Sequence, residues 1–124
     1  MLEKRDFYIN GQWVAPAKAN DYNVIDPSTE EVCAVISLGD EADTNAAVAA
    51  AKAAFPDWAF VAKSEKMALL KRLLEVYNDR QEEMAQAMSM EMGAPIALSR
   101  AQQVGAGSWH LEGFLKAFES FEFE

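Results

Sequence analysis

Asn23-Val24-Ile25-Asp26-Pro27-Ser28-Thr29-Glu30-Glu31-Val32-Cys33-Ala34-Val35-Ile36 is the stretch that decides the fold. Apolar runs flank Asp26-Pro27-Ser28-Thr29, and Pro27 has no amide to give to a ladder, so the extended chain is interrupted there. The second run continues to Leu38, and Gly39 ends it. Upstream, Phe7-Tyr8-Ile9 and Trp13-Val14 flank Asn10-Gly11, a hairpin signal because both turn residues tolerate positive φ. Pro16 to Asn20 reads as an exposed loop. Residues 7–38 therefore read as β structure, an antiparallel hairpin or small sheet.

Beyond Gly39 the chain reads as helix. Asp40 is a candidate N-cap, with Asp43 at the positive end of the dipole, for a helix within 40–58. Its many alanines favour helix and allow close packing. Ser64 is the expected cap of a second helical stretch over 64–92, one helix or two, because Asn78-Asp79 suits a cap better than an interior. There Leu70, Leu73, Leu74, Tyr77, Gln81, Met84, Ala85 and Met88 form an amphipathic stripe. Gly93 followed by Pro95 stops it. A last helix covers 96–120, with Val104, Leu111, Phe114, Leu115 and Phe118 as its buried stripe. Phe121-Glu122-Phe123-Glu124 alternates like the start of a strand. The fold class is α+β: a small sheet followed by three to four helices.

Composition narrows the function. A chain of 124 residues holds one domain at most, and 51% apolar residues is a globular content. A net charge of −9 argues against a nucleic-acid partner. No apolar run approaches a membrane span, and the first six residues carry no signal-peptide core. A single cysteine excludes an internal disulfide and fits a reducing cytoplasm.

The candidate chemical residues have plainer readings. A nucleophilic cysteine needs an exposed electropositive pocket, but Cys33 lies among Val32, Ala34, Val35 and Ile36 with Glu30 and Glu31 nearby, so it reads as a structural thiol. His110 is the only histidine, which leaves no pair for a metal or a relay. Gly105-Ala106-Gly107 lacks the preceding strand and third glycine of a dinucleotide fingerprint. Gly105, Gly107 and Gly113 read instead as points of close helix packing. Glu30-Glu31 and Glu82-Glu83 read as solvated surface. Met84, Met88, Met90 and Met92 read as core and interface filler.

Four segments in order carry a family resemblance. Gly11-Gln12-Trp13 matches a Gly-x-Trp hairpin strand. Asp26-Pro27-Ser28-Thr29-Glu30-Glu31 matches an Asn/Asp-Pro-x-Thr-Gly-Glu turn, with Glu30 in place of the usual glycine. Ala47-Val48, Ala51, Ala54-Phe55 and Trp58 match the helix after that turn. Glu91-Met92-Gly93-Ala94-Pro95 matches a Glu-x-Gly-x-Pro helix end. The chain resembles the N-terminal segment of the aldehyde dehydrogenase family, bacterial type, over nearly its whole length.

The resemblance implies an incomplete N-terminal part of one aldehyde dehydrogenase domain, residues 1–124, which in the family wraps the cofactor-binding domain. The parent enzyme would oxidise an aldehyde to a carboxylic acid with NAD or NADP, through a cysteine thiolate, an oxyanion-holding asparagine and a water-activating glutamate. The family's Pro-Trp-Asn, Glu-Leu-Gly-Gly and nucleophile segments have no match here. No catalytic, cofactor-binding or metal residue is therefore carried over, and the chain alone is expected to be inactive. Some members hold a monovalent cation at positions matching Val24 or Ile25 and Glu91, with a further ligand that has no match here. The expected partners are the remainder of the parent enzyme, or a second copy through apolar helix faces, above all Phe114 to Phe123. The alternative is a stand-alone α+β interaction module.

Overall fold

Asn10 and Gly11 take φ of 52° and 77°, so both centres of the two-residue turn are left-handed, as a hairpin twisted in the native sense requires. In this computed structural model, which describes residues 1–123, that turn joins β2 (Phe7–Ile9) to β3 (Gln12–Val14), with Tyr8 opposite Trp13. A separate three-stranded sheet has the order β1 (Leu2–Lys4), β5 (Glu31–Ser37), β4 (Asp21–Asp26). β4 runs antiparallel to β5, and β1 runs parallel to it with Leu2 opposite Ala34. The strand content thus begins before residue 7. Leu2–Lys4 has no periodicity of its own, and only the pairing with β5 makes it a strand.

The β4–β5 register shifts after Val24: Val24 faces Ala34, while Ile25 faces Val32. Cys33 is the extra residue, and its thiol donates weakly to the Val24 carbonyl at 3.4 Å. It sits in a β-bulge.

α1 (Glu41–Ala59) starts at a reciprocal cap: Asp40 Oδ1 accepts from the amides of Ala42 and Asp43, and Asp43 Oδ2 accepts from the Asp40 amide. Asp43 Oδ1 also accepts from the Ala17 amide at 2.8 Å, which ties down the 15–20 loop. The helix continues through Pro56 and buries none of its residues. These elements make one compact unit, Met1–Phe60, whose core is Ala34 and Val35 on β5.

Val61–Glu124 is a second compact unit. α2 (Lys63–Asp79) and α3 (Gln81–Met92) divide the 64–92 stretch at Arg80, whose φ of −109° and ψ of 14° leave the helical well. Ser64 is not the cap expected of it: α2 begins at Lys63, and the Ala62 carbonyl accepts the first amides, from Glu65 and Lys66. Gly93 closes α3 at φ 72°.

α4 (Ile96–Leu98) runs into a π turn (Ser99–Gln103) and then α5 (Gly105–Ser120). The Val104 amide reaches back five residues to the Ser99 carbonyl. α2 packs on α5, and Ala85, Ser99, Val104 and Leu115 form the buried centre. Leu73, Met84 and Phe114, expected on buried stripes, are exposed. Phe121–Phe123 forms no strand; Glu124, the last residue of that expected strand, lies outside the described residues.

Candidate functional site

Cys33, His110, Glu82 and Glu83 each have a neighbour that accounts for their placement. Cys33 is half-buried with its thiol turned to the Val24 carbonyl. His110 is exposed, its ring 4.9 Å from that of Trp109. Glu82 is held by Arg100 (Nη2 to Oε1 2.6 Å, Nε to Oε2 2.9 Å), and Glu83 pairs with Arg80 at 2.7 Å. The forked Arg100 contact, then the Gln86 amide, pull the Glu82 carboxyl down to about 2. Met84 and Met92 are exposed, while Met88 and Met90 are half-buried.

The turn motif is built around Asp26. Its Oδ1 accepts from both the hydroxyl and the amide of Ser28, which lowers the carboxyl below its ordinary value. Glu30 comes next but three at φ 61°, and its amide donates to the Asp26 carbonyl at 2.8 Å. The family's glycine has a physical reason at this position, since the left-handed region penalises any Cβ.

Val24 and Ile25, matched to a cation-binding turn, lie on β4, and Glu91 lies on α3 in the other unit. The Val24 carbonyl already accepts from Cys33. Among the described residues, no three His, Cys, Asp or Glu side chains gather as a metal site would need.

A polar node in the helical unit carries no mark in the sequence. Tyr77 donates to the Val104 carbonyl at 2.7 Å, where the π turn meets α5. Beside it, Gln81 Nε2 donates to Asn78 Oδ1 and Ser108 Oγ at 2.9 and 2.8 Å, and Ser108 Oγ donates to Asn78 Oδ1 at 2.6 Å. The partners on α5 are 27 and 30 residues away, so no local pattern reveals the node.

This node decides the fit of Gly105-Ala106-Gly107 to a dinucleotide. The segment is helical and comes after a π turn instead of a strand, and the Tyr77 ring covers Gly107. These glycines do not fit a pyrophosphate cradle. Of the three expected packing points, only Gly107 is one; around Gly105 and Gly113 there is open space for a Cβ.

The second unmarked feature lies at the end of α5. Lys63 Nζ donates to the carbonyls of Glu119 (3.1 Å) and Phe121 (2.7 Å) and sits 5.5 Å above the Phe118 ring. Phe114, Ala117, Phe118, Phe121 and Phe123 line an open, almost wholly apolar hollow.

The Aldehyde dehydrogenase family profile matches residues 13–123. The chain belongs to the aldehyde dehydrogenase family. A 3-succinoylsemialdehyde-pyridine dehydrogenase from a Pseudomonas species is 37% identical over the whole chain, which covers 26% of that protein. An aldehyde dehydrogenase from Bartonella henselae is 48% identical, with a TM-score of 0.97 over 99% of this chain and 26% of its own. A mutant aldehyde dehydrogenase C from Pseudomonas syringae, solved with NAD+ and octanal, is 39% identical, with a TM-score of 0.93 over 96% and 24% of the two chains. The chain spans about a quarter of the length of these relatives and matches the N-terminal part of their fold. No helix among the described residues is long and apolar enough to cross a membrane.

Proposed function

We propose that the whole protein to which this segment belongs oxidises an aldehyde to a carboxylic acid with NAD or NADP, and that the 124-residue chain alone does not. The observation that carries the first part is the family match over residues 13–123, supported by a relative solved with NAD+ and octanal. The second part rests on this chain's own side chains. Aldehyde oxidation through a covalent intermediate needs a thiolate with a base in reach and donors aimed at the oxyanion. The one thiol is turned to a backbone carbonyl inside a β-bulge, and the one histidine leans on Trp109. The glycines of α5 do not fit a cofactor phosphate, so no step is assigned here to a nicotinamide.

The role left to the segment is architectural. Its exposed apolar faces pack against the rest of the parent enzyme, which works in the cytoplasm, where a lone thiol stays reduced.

Two measurements test this. The purified 124-residue chain, given NAD+ and octanal, is expected to form no NADH above a Cys33→Ala control; Cys33-dependent NADH would sink the second part. The source gene, read past the codon for Glu124, is expected to continue in frame through a Pro-Trp-Asn segment to a nucleophile cysteine. A stop at that codon would leave the interaction-module reading in its place, which the exposed aromatic end of α5 favours.

A further inference from the structure

Asn10 is the one asparagine of the chain followed by glycine; every other asparagine precedes Asp, Val or Ala, whose Cβ crowds the amide nitrogen beside it. Asn10 and Gly11 are exposed at the tip of the β2–β3 hairpin, and the space where a Gly11 Cβ would stand is open. Among the described residues no hydrogen bond engages the Asn10 carboxamide. We propose that this turn is a self-modification site: the Gly11 nitrogen attacks Asn10 Cγ, and position 10 becomes aspartate or isoaspartate.

The step balances without an oxidant or a reductant. Base takes the Gly11 amide proton, a bond forms from that nitrogen to Asn10 Cγ, and the Cγ–Nδ2 bond breaks. Nδ2 leaves as ammonia with a proton returned from solvent. The five-membered imide then adds water, the only co-reactant. Opening at Cγ gives aspartate in the ordinary chain. Opening at the Asn10 main-chain carbonyl gives isoaspartate, with the chain running through Cγ. The nucleophile and its target sit in adjacent residues, so their encounter is intramolecular. The reaction needs freedom of the turn and no empty face, partner or other part of the parent enzyme. It does not depend on the activity proposed for the whole protein.

The folded hairpin sets the rate. Asn10 is held at φ 52°, and ring closure requires it to leave that left-handed well so that Cγ faces the Gly11 nitrogen. β2 and β3 form a two-stranded sheet of their own with three residue pairs, a size of only marginal stability. Its clasp is the Tyr8 ring, 5.2 Å from that of Trp13. The tip therefore opens locally while the rest of the chain stays folded. The two products differ in consequence. Asp-Gly suits the same turn. Isoaspartate lengthens the main chain by a methylene, and the altered turn no longer sets the register that puts Tyr8 opposite Trp13.

The test is to age the 124-residue chain at mildly alkaline pH and body temperature. Isoelectric focusing follows the charge, and a labelled methyl group transferred by an isoaspartyl methyltransferase reports isoaspartate. The expected result is a single step of one further negative charge beyond −9, with the label in the tryptic peptide Asp6–Lys18 at residue 10. Asn10→Asp keeps a turn-forming pair, has no ammonia to lose and is expected to gain no charge. Trp13→Ser removes the clasp and is expected to speed the step about two- to fivefold, the rise in open turn that losing one cross-strand aromatic pair gives. Gly11→Ala strains the turn at φ 77° and loosens it, yet is expected to slow the step, because the new Cβ crowds the attacking nitrogen. An unchanged charge, a step that maps to another asparagine, or a step that Trp13→Ser does not speed or Gly11→Ala does not slow overturns the inference.

Discussion

Gly107 stands where Tyr77 leaves no room for a side chain: a Cβ there would lie 2.9 Å from the ring's Cε1 and nearer still to Cζ and the hydroxyl. Tyr77 cannot swing away cheaply, because its hydroxyl is bound to the Val104 carbonyl at 2.7 Å. In an open helix, alanine in place of glycine stabilises by about 1 kcal/mol. Here crowding of a packed site costs about 1–3 kcal/mol and outweighs that gain. Gly107→Ala is expected to lower the urea midpoint, while Gly113→Ala, with nothing within 4 Å of its Cβ, is expected to raise it. Equal shifts in the two variants would refute the assignment.

Glu30 holds a left-handed conformation, φ 61°, at a turn where the family pattern has glycine. The strain of a Cβ there is about 1–2 kcal/mol. Part of the gain on removing it is lost because glycine has more freedom in the unfolded chain. Glu30→Gly is therefore expected to stabilise the chain by about 0.5–1 kcal/mol. Thermal melts of the two proteins check it, and a lowered melting temperature would show that the Glu30 side chain contributes more than its backbone costs.

Much of this architecture is legible because its causes are local. Asn10-Gly11, Asp40 with Asp43, and Gly93 before Pro95 each set a backbone angle or satisfy amides within four residues of themselves. The parts that escape sequence reading depend on distant partners. Leu2–Lys4 becomes a strand only against β5, some 30 residues on. The contact of the Lys63 ammonium with the end of α5 spans 56 and 58 residues and leaves no local mark. The buried-stripe assignment of Phe114 fails because helical periodicity marks an apolar face without saying whether this chain supplies what covers it. The same holds for the chemistry: the absence of matching catalytic segments can be read from the sequence, whereas the Asn78, Gln81 and Ser108 node cannot.

Glu82 links α3 to the π turn through Arg100, and the contact holds its carboxyl near 2 instead of the ordinary 4.5. A depressed carboxyl contributes stability that is complete above pH 4.5 and is lost as the pH falls toward 2. The pair is exposed, so its contribution is small and screened by salt. Urea midpoints measured from pH 6 down to pH 2, at low ionic strength, are expected to fall less steeply in Glu82→Gln than in the parent chain. Parallel profiles would mean that the pair contributes nothing to the acid response. Asp26, Asp43 and Glu83, lowered by Ser28, by the Ala17 amide and by Arg80 respectively, act in the same direction and contribute to the slope that remains.

Lys63 acts on the last turn of α5 from the first residue of α2. Helices end with carbonyls that lack intrahelical partners, and a cation there meets the negative end of the dipole as well as the lone pairs. The ammonium takes the carbonyls of Glu119 and Phe121 and rests over the Phe118 ring. Lys63→Met keeps a comparable apolar stem and removes the charge. Because the site is exposed, the expected loss is about 1 kcal/mol, below the usual range for charged hydrogen bonds. That loss is local: amides of the last turn of α5 are expected to exchange about fivefold faster, while those around Ala85 keep their protection. Uniform acceleration across both helices would mean that Lys63 supports the whole α2–α5 packing, and unchanged exchange at Ser120 and Phe121 would mean that the two hydrogen bonds do not hold the helix end.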